Sequence, residues 1–366
     1  MKLLIKPASF VQMGVSPPPL GLLYLAAMTP EDTTVWDAHR QGEPTDLIRK
    51  AQIVGAQVYT PGRHESFNYL KIAKANGAIT VAGGPHVAVQ RKRIETYDYI
   101  DHLVVGDGEL AWKCICDYYD GKSSERPPKV LHMPVKHLDD LPIPAWGKIN
   151  MPVYLNRICI VLGRGCDGSC IFCSTWWISG KYHCHGEAWI TEELQVLWDY
   201  GVRHLVWDDD CLTNDPDGTQ ALINAMGKFR FSAEGTTRVD KVTQSMVRDL
   251  KRVGFRMLGF GIESGSQTIL DKMHKQTDLS TAFAARQWCR ENDIRFKALV
   301  MHGFPFETDE TRREDNEFRV KLAPDEWGSV GFIQIFPGTQ MYRDLKKEGK
   351  ISDDFWDGPE PYYRIG

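Results

Sequence analysis

The sequence predicts an α/β chain in two domains, a doubly wound flavodoxin-like (Rossmann-type) domain followed by a partial (β/α)6 barrel of the TIM type. Three observations carry this reading. Short apolar runs alternate with helical patterns along residues 1–120, the alternation resumes after residue 157, and a stretch rich in proline and charge separates the two. With 366 residues the chain is long enough for two cores. Hydrophobic residues at 42% and charged residues at 25% are ordinary globular values and argue against long disorder.

In the first domain (1–120), apolar runs of strand length lie at 2–7, 34–37, 53–60, 79–83 and 102–105. Helical patterns fill the gaps at 20–28, 45–51, 66–76, 91–96 and 110–120. Five strands and five helices in this order point to a parallel sheet with crossover helices. Residues 121–156, GKSSERPPKVLHMPVKHLDDLPIPAWGKINMPVYLN, have little periodicity and read as a linker. The second domain (157–350) has strand runs at 158–162, 202–207, 229–234, 257–262, 295–301 and 328–336. Its helical patterns lie at 190–200, 218–228, 242–253, 279–292, 309–322 and 340–348. Six such units are too few to close the usual eightfold barrel, hence a partial one. Residues 351–366 form a short C-terminal extension. In both kinds of sheet, ligands gather at the C-terminal ends of the strands, so those loops are where chemistry is expected.

A net charge of −4 without any block of lysine and arginine leaves nucleic-acid binding unsupported. No stretch approaches the roughly 18 apolar residues of a membrane span, and the opening MKLLIKPASFVQMG is too short in its apolar run for a secretory signal. The expectation is a cytoplasmic protein without a membrane partner. Nine cysteines in such a setting point to metal or redox chemistry rather than a disulfide framework.

Three of them crowd the string GRGCDGSCIFC, as Cys166, Cys170 and Cys173 in C-x3-C-x2-C spacing, after the first strand of the second domain. Gly165 and Gly168 permit a tight wrap, and Ile171 and Phe172 supply an apolar cover. A structural zinc site takes four ligands in two spaced pairs, and a cubane iron–sulfur cluster usually takes four thiolates. Three thiolates on a cubane leave one iron open to an exogenous ligand. From spacing alone, zinc and a four-thiolate cluster completed by Cys159, Cys184 or Cys211 stay open as alternatives.

The cysteine string, with Phe172 before its last member, resembles the radical S-adenosylmethionine (SAM) superfamily. Downstream strings at strand ends are similar to further motifs of that family: VWDDDCLTND at 206–215, TTRVD at 236–240, LGFGIESGSQTILDKMHK at 258–275, VMHGFPFET at 300–308 and IFPGTQMYRDL at 335–345. The resemblance implies a 4Fe–4S cluster on Cys166, Cys170 and Cys173, whose open iron chelates SAM and whose electron cleaves it to a 5'-deoxyadenosyl radical. It places Phe172, Asp209, Arg238, Glu263 and Ser264 at SAM, with Arg238 facing the methionine carboxylate.

In the first domain SPPPLGLLYLAA (16–27), TVAGGPHV (80–87) and VVGDGE (104–109) resemble the cobalamin-binding domain of cobalamin-dependent members. That resemblance places Pro18, Leu20, Gly21, Thr60, Gly62, Gly83, Gly84, Pro85, His86, Gly106, Gly108 and Glu109 at cobalamin. Asp37-Ala-His39-Arg-Gln-Gly42 fits a D-x-H-x-x-G cobalt-ligating pattern, but follows the second strand where that pattern follows the first, so His39 is expected to be a surface residue. Trp176, Trp177 and Asp210 are expected to line a substrate cavity. The implied activity is methyl transfer to an unactivated carbon of a small molecule or peptide, with a flavodoxin or ferredoxin as electron donor. A cyclisation or rearrangement with the same cofactors is the near alternative, and a noncatalytic cluster and cobalamin sensor the distant one.

Overall fold

The strands of the first unit are β1 (Lys2–Lys6), β2 (Thr33–Asp37), β3 (Ile53–Gln57), β4 (Ile79–Gly83), β5 (His102–Val104) and β6 (Val130–Leu131) in a computed structural model that describes residues 1–9, 16–155, 157–360 and 363. They form one parallel sheet in the order β2-β1-β3-β4-β5-β6. This is the flavodoxin-like order, and its direction reverses at β1 and β3. An all-parallel sheet is covered on both faces, so its strands read as apolar runs rather than alternations. Leu3, Leu4, Ile5, Ile53, Val54 and Leu103 are accordingly buried, and the helices pack Leu70, Ala73 and Val87 against the sheet.

Two features depart from expectation. Residues 121–156, read as a linker, supply β6, which pairs with Leu103 and Val104. A two-residue strand flanked by prolines is too short to show as a periodic run. The compact first unit accordingly spans Met1–Tyr154, with Trp177–Ser179 and the stretch from Lys346 joining it. The helix expected at 91–96 instead spans Pro85–Ile94, starting on a proline and bending at Gln90. Proline lacks the N–H that a first helical turn leaves unpaired anyway, and the bend breaks the apolar period that would have shown the first half.

The second unit contains Leu155–Trp176 and Gly180–Leu345. Its strands β7 (Ile158–Ile160), β10 (His204–Trp207), β11 (Ser232–Thr237), β12 (Phe255–Glu263), β13 (Arg295–His302) and β14 (Glu326–Phe332) lie parallel in consecutive order. Consecutive parallel order with a helix after most strands is the partial barrel expected. A small antiparallel hairpin, β8 (Gly163–Arg164) with β9 (His183–Cys184), brackets the three-cysteine loop and was not expected. The pairing of β12 with β13 shifts register between Gly261 and Glu263. Such a bulge re-aims the side chain beyond it, here Glu263.

Candidate active site

The chain leaves β7 and is drawn at once into the β8–β9 hairpin. A Cβ at Gly163 would stand 2.5 Å from the His183 carbonyl oxygen. Gly165 has φ +84°, and a Cβ there would stand 2.6 Å from the Lys181 oxygen and 2.7 Å from the Gly180 oxygen. Only glycine lets these backbones approach so closely. The Cys166 N–H then donates to the Gly180 carbonyl at 3.3 Å, which seats the first cysteine.

Each of the three thiols has an N–H donor aimed at its sulfur. Gly168 N–H faces Cys166 Sγ at 3.4 Å, Thr175 N–H faces Cys173 Sγ at 3.5 Å, and Arg238 Nη1 faces Cys170 Sγ at 3.7 Å. Hydrogen bonds to sulfur and partial exposure are what an iron–sulfur cluster draws from its protein, and all three cysteines are partly exposed. The donor set fits the group. Burial pushes the Cys170 and Cys173 thiols above their ordinary pKa, while Lys275 and Arg238 pull Cys170 back and hydrogen bonds from Thr175 pull Cys173 back. Among the described residues no three ligand side chains converge closely enough to hold a single ion. A cubane is wider than one ion and needs only three thiolates edging one bay. The cysteines weighed as a fourth ligand have other surroundings: Cys159 is buried inside β7, Cys211 is buried 3.5 Å from Thr237 Oγ1, and Cys184 faces Asp215 at 4.0 Å.

The remaining residues expected at SAM follow the ends of neighbouring strands, but their polar atoms are differently engaged. Asp209, after β10, is buried and accepts from Leu162 N–H at 3.0 Å and Gly163 N–H at 2.8 Å, so both carboxylate oxygens tie down the start of the cysteine loop. Burial pushes its pKa up to about 7 against those two donors. Asp210 accepts from Thr175 Oγ1 at 2.9 Å; burial in the crowded bay raises its pKa, although its surface is open to solvent. Glu263 sits at φ +68°, uncommon for a residue with a side chain, and its carboxylate takes Lys275 Nζ at 2.8 Å. Ser264 Oγ accepts from Ser266 N–H at 3.2 Å. Phe172 is partly exposed, in a segment pinned where Ile171 N–H meets the Met273 carbonyl at 3.0 Å. A cavity of about 660 Å³ opens at the ends of β12, β13 and β14, bordered by Ser264, His302, Gly303, Phe304, Asn316 and Phe332.

Sequence reasoning missed Lys275, Asp240 and Thr277 as parts of this site. Lys275 closes the string that contains Glu263, but no linear spacing announces that the two pair. Trp176 and Trp177, on the short helix Thr175–Ser179, are 42% and 53% exposed.

In the first unit the residues expected at cobalamin all lie at or beyond the C-terminal ends of β1, β3, β4 and β5. Pro18, Leu20 and Gly21 follow β1, Thr60 and Gly62 follow β3, Gly83–His86 close β4, and Gly106–Glu109 follow β5. Gly84 has φ +111° and a Cβ there would stand 3.0 Å from the Val58 oxygen, so this turn needs glycine. Three of the polar candidates turn inward. Thr60, His86 and Glu109 are buried, and Thr60 Oγ1 lies 3.1 Å from His86 Nδ1. His86 also meets the Trp356 ring edge-on with centroids 6.1 Å apart. Its imidazole packs inside the unit instead of reaching outward from the loops. His39 is exposed, as expected, while Asp37 is buried against Lys6 Nζ at 3.1 Å and accepts from Tyr154 Oη at 2.7 Å.

Burial lowers the His86 pKa to about 3, helped by the Arg63 and His64 charges. Because the folded pKa lies below the unfolded one, the stability tied to neutral His86 is complete above about pH 6.5 and is lost as pH falls toward the folded value, at about 1.4 kcal/mol per unit. Urea unfolding followed by circular dichroism from about pH 7 down to about pH 4 should therefore show a steeper loss in the wild type than in His86→Gln. Equal slopes would contradict a buried neutral imidazole.

Residues 160–318 match the Radical SAM superfamily. The chain is 26% identical over 370 residues to an uncharacterized methyltransferase of Pyrococcus horikoshii, covering 90% of this chain and 79% of that one. It is 25% identical over 351 residues to the anaerobic magnesium-protoporphyrin IX monomethyl ester cyclase of Cereibacter sphaeroides, covering 84% of this chain and 56% of that one, so it spans little more than half of the cyclase. Among solved structures, the radical SAM methyltransferase TsrM from Kitasatospora setae, with cobalamin and a [4Fe-4S] cluster bound, superposes with TM-score 0.75 at 16% identity, over 95% of this chain and 75% of TsrM. With three N–H-supported thiols at the first strand end of a partial barrel, inside the stretch that matches that superfamily, the chain is a radical SAM enzyme. Its fold is that of the cobalamin-dependent members. Among the described residues no helix is long and apolar enough to cross a membrane.

Proposed function

We propose that this chain is a cobalamin-dependent radical SAM methyltransferase that places a methyl group on an unactivated carbon of a small molecule or peptide. The observation that carries the proposal is the cysteine loop, in which Cys166, Cys170 and Cys173 each meet one N–H donor. A first unit with flavodoxin-like strand order and a glycine-bearing turn after β4, packed on Val58 beyond β3, supports cobalamin as the second cofactor. Relatives with methyltransferase names support the reaction class.

When bound, the cluster and SAM supply a radical able to take hydrogen from carbon, and cobalamin supplies the methyl group. The chain's own residues hold and orient these groups. Cys166, Cys170 and Cys173 bind the cluster and leave one position for SAM. Asp209 fixes the loop that presents them. Ser264 and the cavity beside it, with Phe304 and Phe332 on its wall, receive the nucleoside part. Glu263, its charge balanced by Lys275, faces the ligand from the end of β12. Electrons come from a reduced flavodoxin or ferredoxin.

The test is anaerobic reconstitution with iron, sulfide and hydroxocobalamin, followed by gel filtration and an absorption spectrum. Near-stoichiometric cobalamin retained beside the cluster band is the expected result. A cluster band alone would sink the methyl-transfer reading and leave a radical enzyme whose first unit serves another ligand. Similarity to a cyclase favours a second reading, in which both cofactors serve ring closure. Methyl label moving from SAM into product separates the two. A noncatalytic sensor would yield no 5'-deoxyadenosine under reduction.

A further inference from the structure

Arg238, the third residue of TTRVD, directly follows β11, and its side chain is 9% exposed. Nearly every donor on its guanidinium is already committed. Nε and Nη2 donate to the two oxygens of Asp240 at 2.9 and 3.0 Å, and Nη2 also donates to the Lys275 carbonyl at 2.6 Å and Thr277 Oγ1 at 3.1 Å. Nη1 alone is turned elsewhere, toward Cys170 Sγ at 3.7 Å. It occupies a notch that exists because residue 168 is glycine. A Cβ there would stand 3.3 Å from Nη1 and 3.4 Å from Cys166 Sγ.

This places one end of a guanidinium beside the Cys170 thiol while a bidentate carboxylate holds the other end. A guanidinium keeps its proton in a protein, so the N–H donor is permanent. Asp240 balances the charge at a distance, and what reaches Cys170 is an N–H···S bond plus an oriented dipole with its positive end on sulfur. Adding an electron to a cluster makes it more negative, so a donor at this position stabilises the reduced form more than the oxidised one. The same engagement leaves Arg238 without a free fork for a ligand carboxylate.

We propose that Arg238, set by Asp240, is a cluster-tuning residue that raises the reduction potential of a cluster on Cys166, Cys170 and Cys173, and that it does not clasp the methionine carboxylate of SAM. This rests on the radical SAM reading of the site. Gln in its place keeps a polar side chain and loses the charge, and Lys keeps the charge and loses the planar fork.

The experiment is spectroelectrochemical titration of the reconstituted full-length protein without SAM, in the wild type, Arg238→Gln and Arg238→Lys, paired with SAM binding measured by equilibrium dialysis on the oxidised cluster. The midpoint is expected to move to more negative potential in Arg238→Gln, less so in Arg238→Lys, with SAM affinity unchanged. Should Arg238→Gln not load a cluster, the Lys variant carries the test, and a midpoint equal to the wild type's overturns the proposal. An unmoved midpoint in Arg238→Gln with weakened SAM binding also overturns it, in favour of a carboxylate clasp. A wild type that shows no reducible cluster overturns the radical SAM reading and this inference with it.

Discussion

Alanine at Cys166, Cys170 or Cys173 is expected to abolish cluster retention and 5'-deoxyadenosine formation while leaving the chain folded. The fold should survive because these thiols are partly exposed and carry little of the core, unlike Cys159 and Cys211, which are buried. The loop's shape comes from Gly163, Gly165 and the carboxylate of Asp209, none of which is touched. With one thiolate removed, two ligands cannot hold a cubane against water and oxidant, so activity falls to background rather than by a modest factor. The measurement is the visible absorption of the anaerobically reconstituted variants, with iron and sulfide counted per chain. Cys184→Ala and Cys211→Ala provide the complementary arm and should retain the cluster and SAM cleavage. Loss of the cluster in either would mean a fourth protein thiolate and no open iron, which would remove SAM activation from the mechanism.

Replacing Lys275 by methionine is expected to destabilise the second unit by about 3 kcal/mol, because it strands a buried carboxylate. The Lys275 side chain is 5% exposed and that of Glu263 13%, with Nζ 2.8 Å from Oε1. Burial alone would lower the lysine pKa, yet Glu263 and Cys170 hold it above the ordinary value. With its folded pKa raised, the pair's contribution is fully present at neutral pH and is lost only as pH rises through the lysine's titration. Methionine keeps most of the apolar stem, so the loss measured by urea unfolding reports the charge rather than a cavity. Glu263→Gln added to Lys275→Met should recover most of the loss, since it removes the charge left without a partner. No recovery in the double variant would mean that Lys275 acts through packing and that the pair is incidental.

Much of the first unit was legible because a parallel sheet covered on both faces must write its strands as apolar runs. The loops after β1, β3, β4 and β5 were legible for the same reason, since strand ends locate them. What eluded the reading was short or interrupted: the two-residue β6, the β8–β9 hairpin, and the first half of Pro85–Ile94 before its bend. None of these spans enough residues to establish a period. Direction of side chains was also beyond reach. GGPHV marks a loop beside a ligand site, yet nothing in it says that His86 turns inward to Thr60.

The cysteine loop by itself determined the chemistry of the candidate site, because two of the three N–H···S contacts, Gly168 to Cys166 and Thr175 to Cys173, are made within two residues of the thiol they serve. The glycines that let it wrap are equally local. Everything that sets the electrical surroundings of that loop was decided by tertiary structure. Arg238 reaches Cys170 across 68 residues, Asp209 reaches Gly163 across 46, and Lys275 finds Glu263 through a bulge in β12. A thiol's ligand geometry is written in a few adjacent torsions. The charge facing it depends on which strand ends lie next to one another, and consecutive parallel order in the barrel brings the ends of β7, β10, β11 and β12 to one rim.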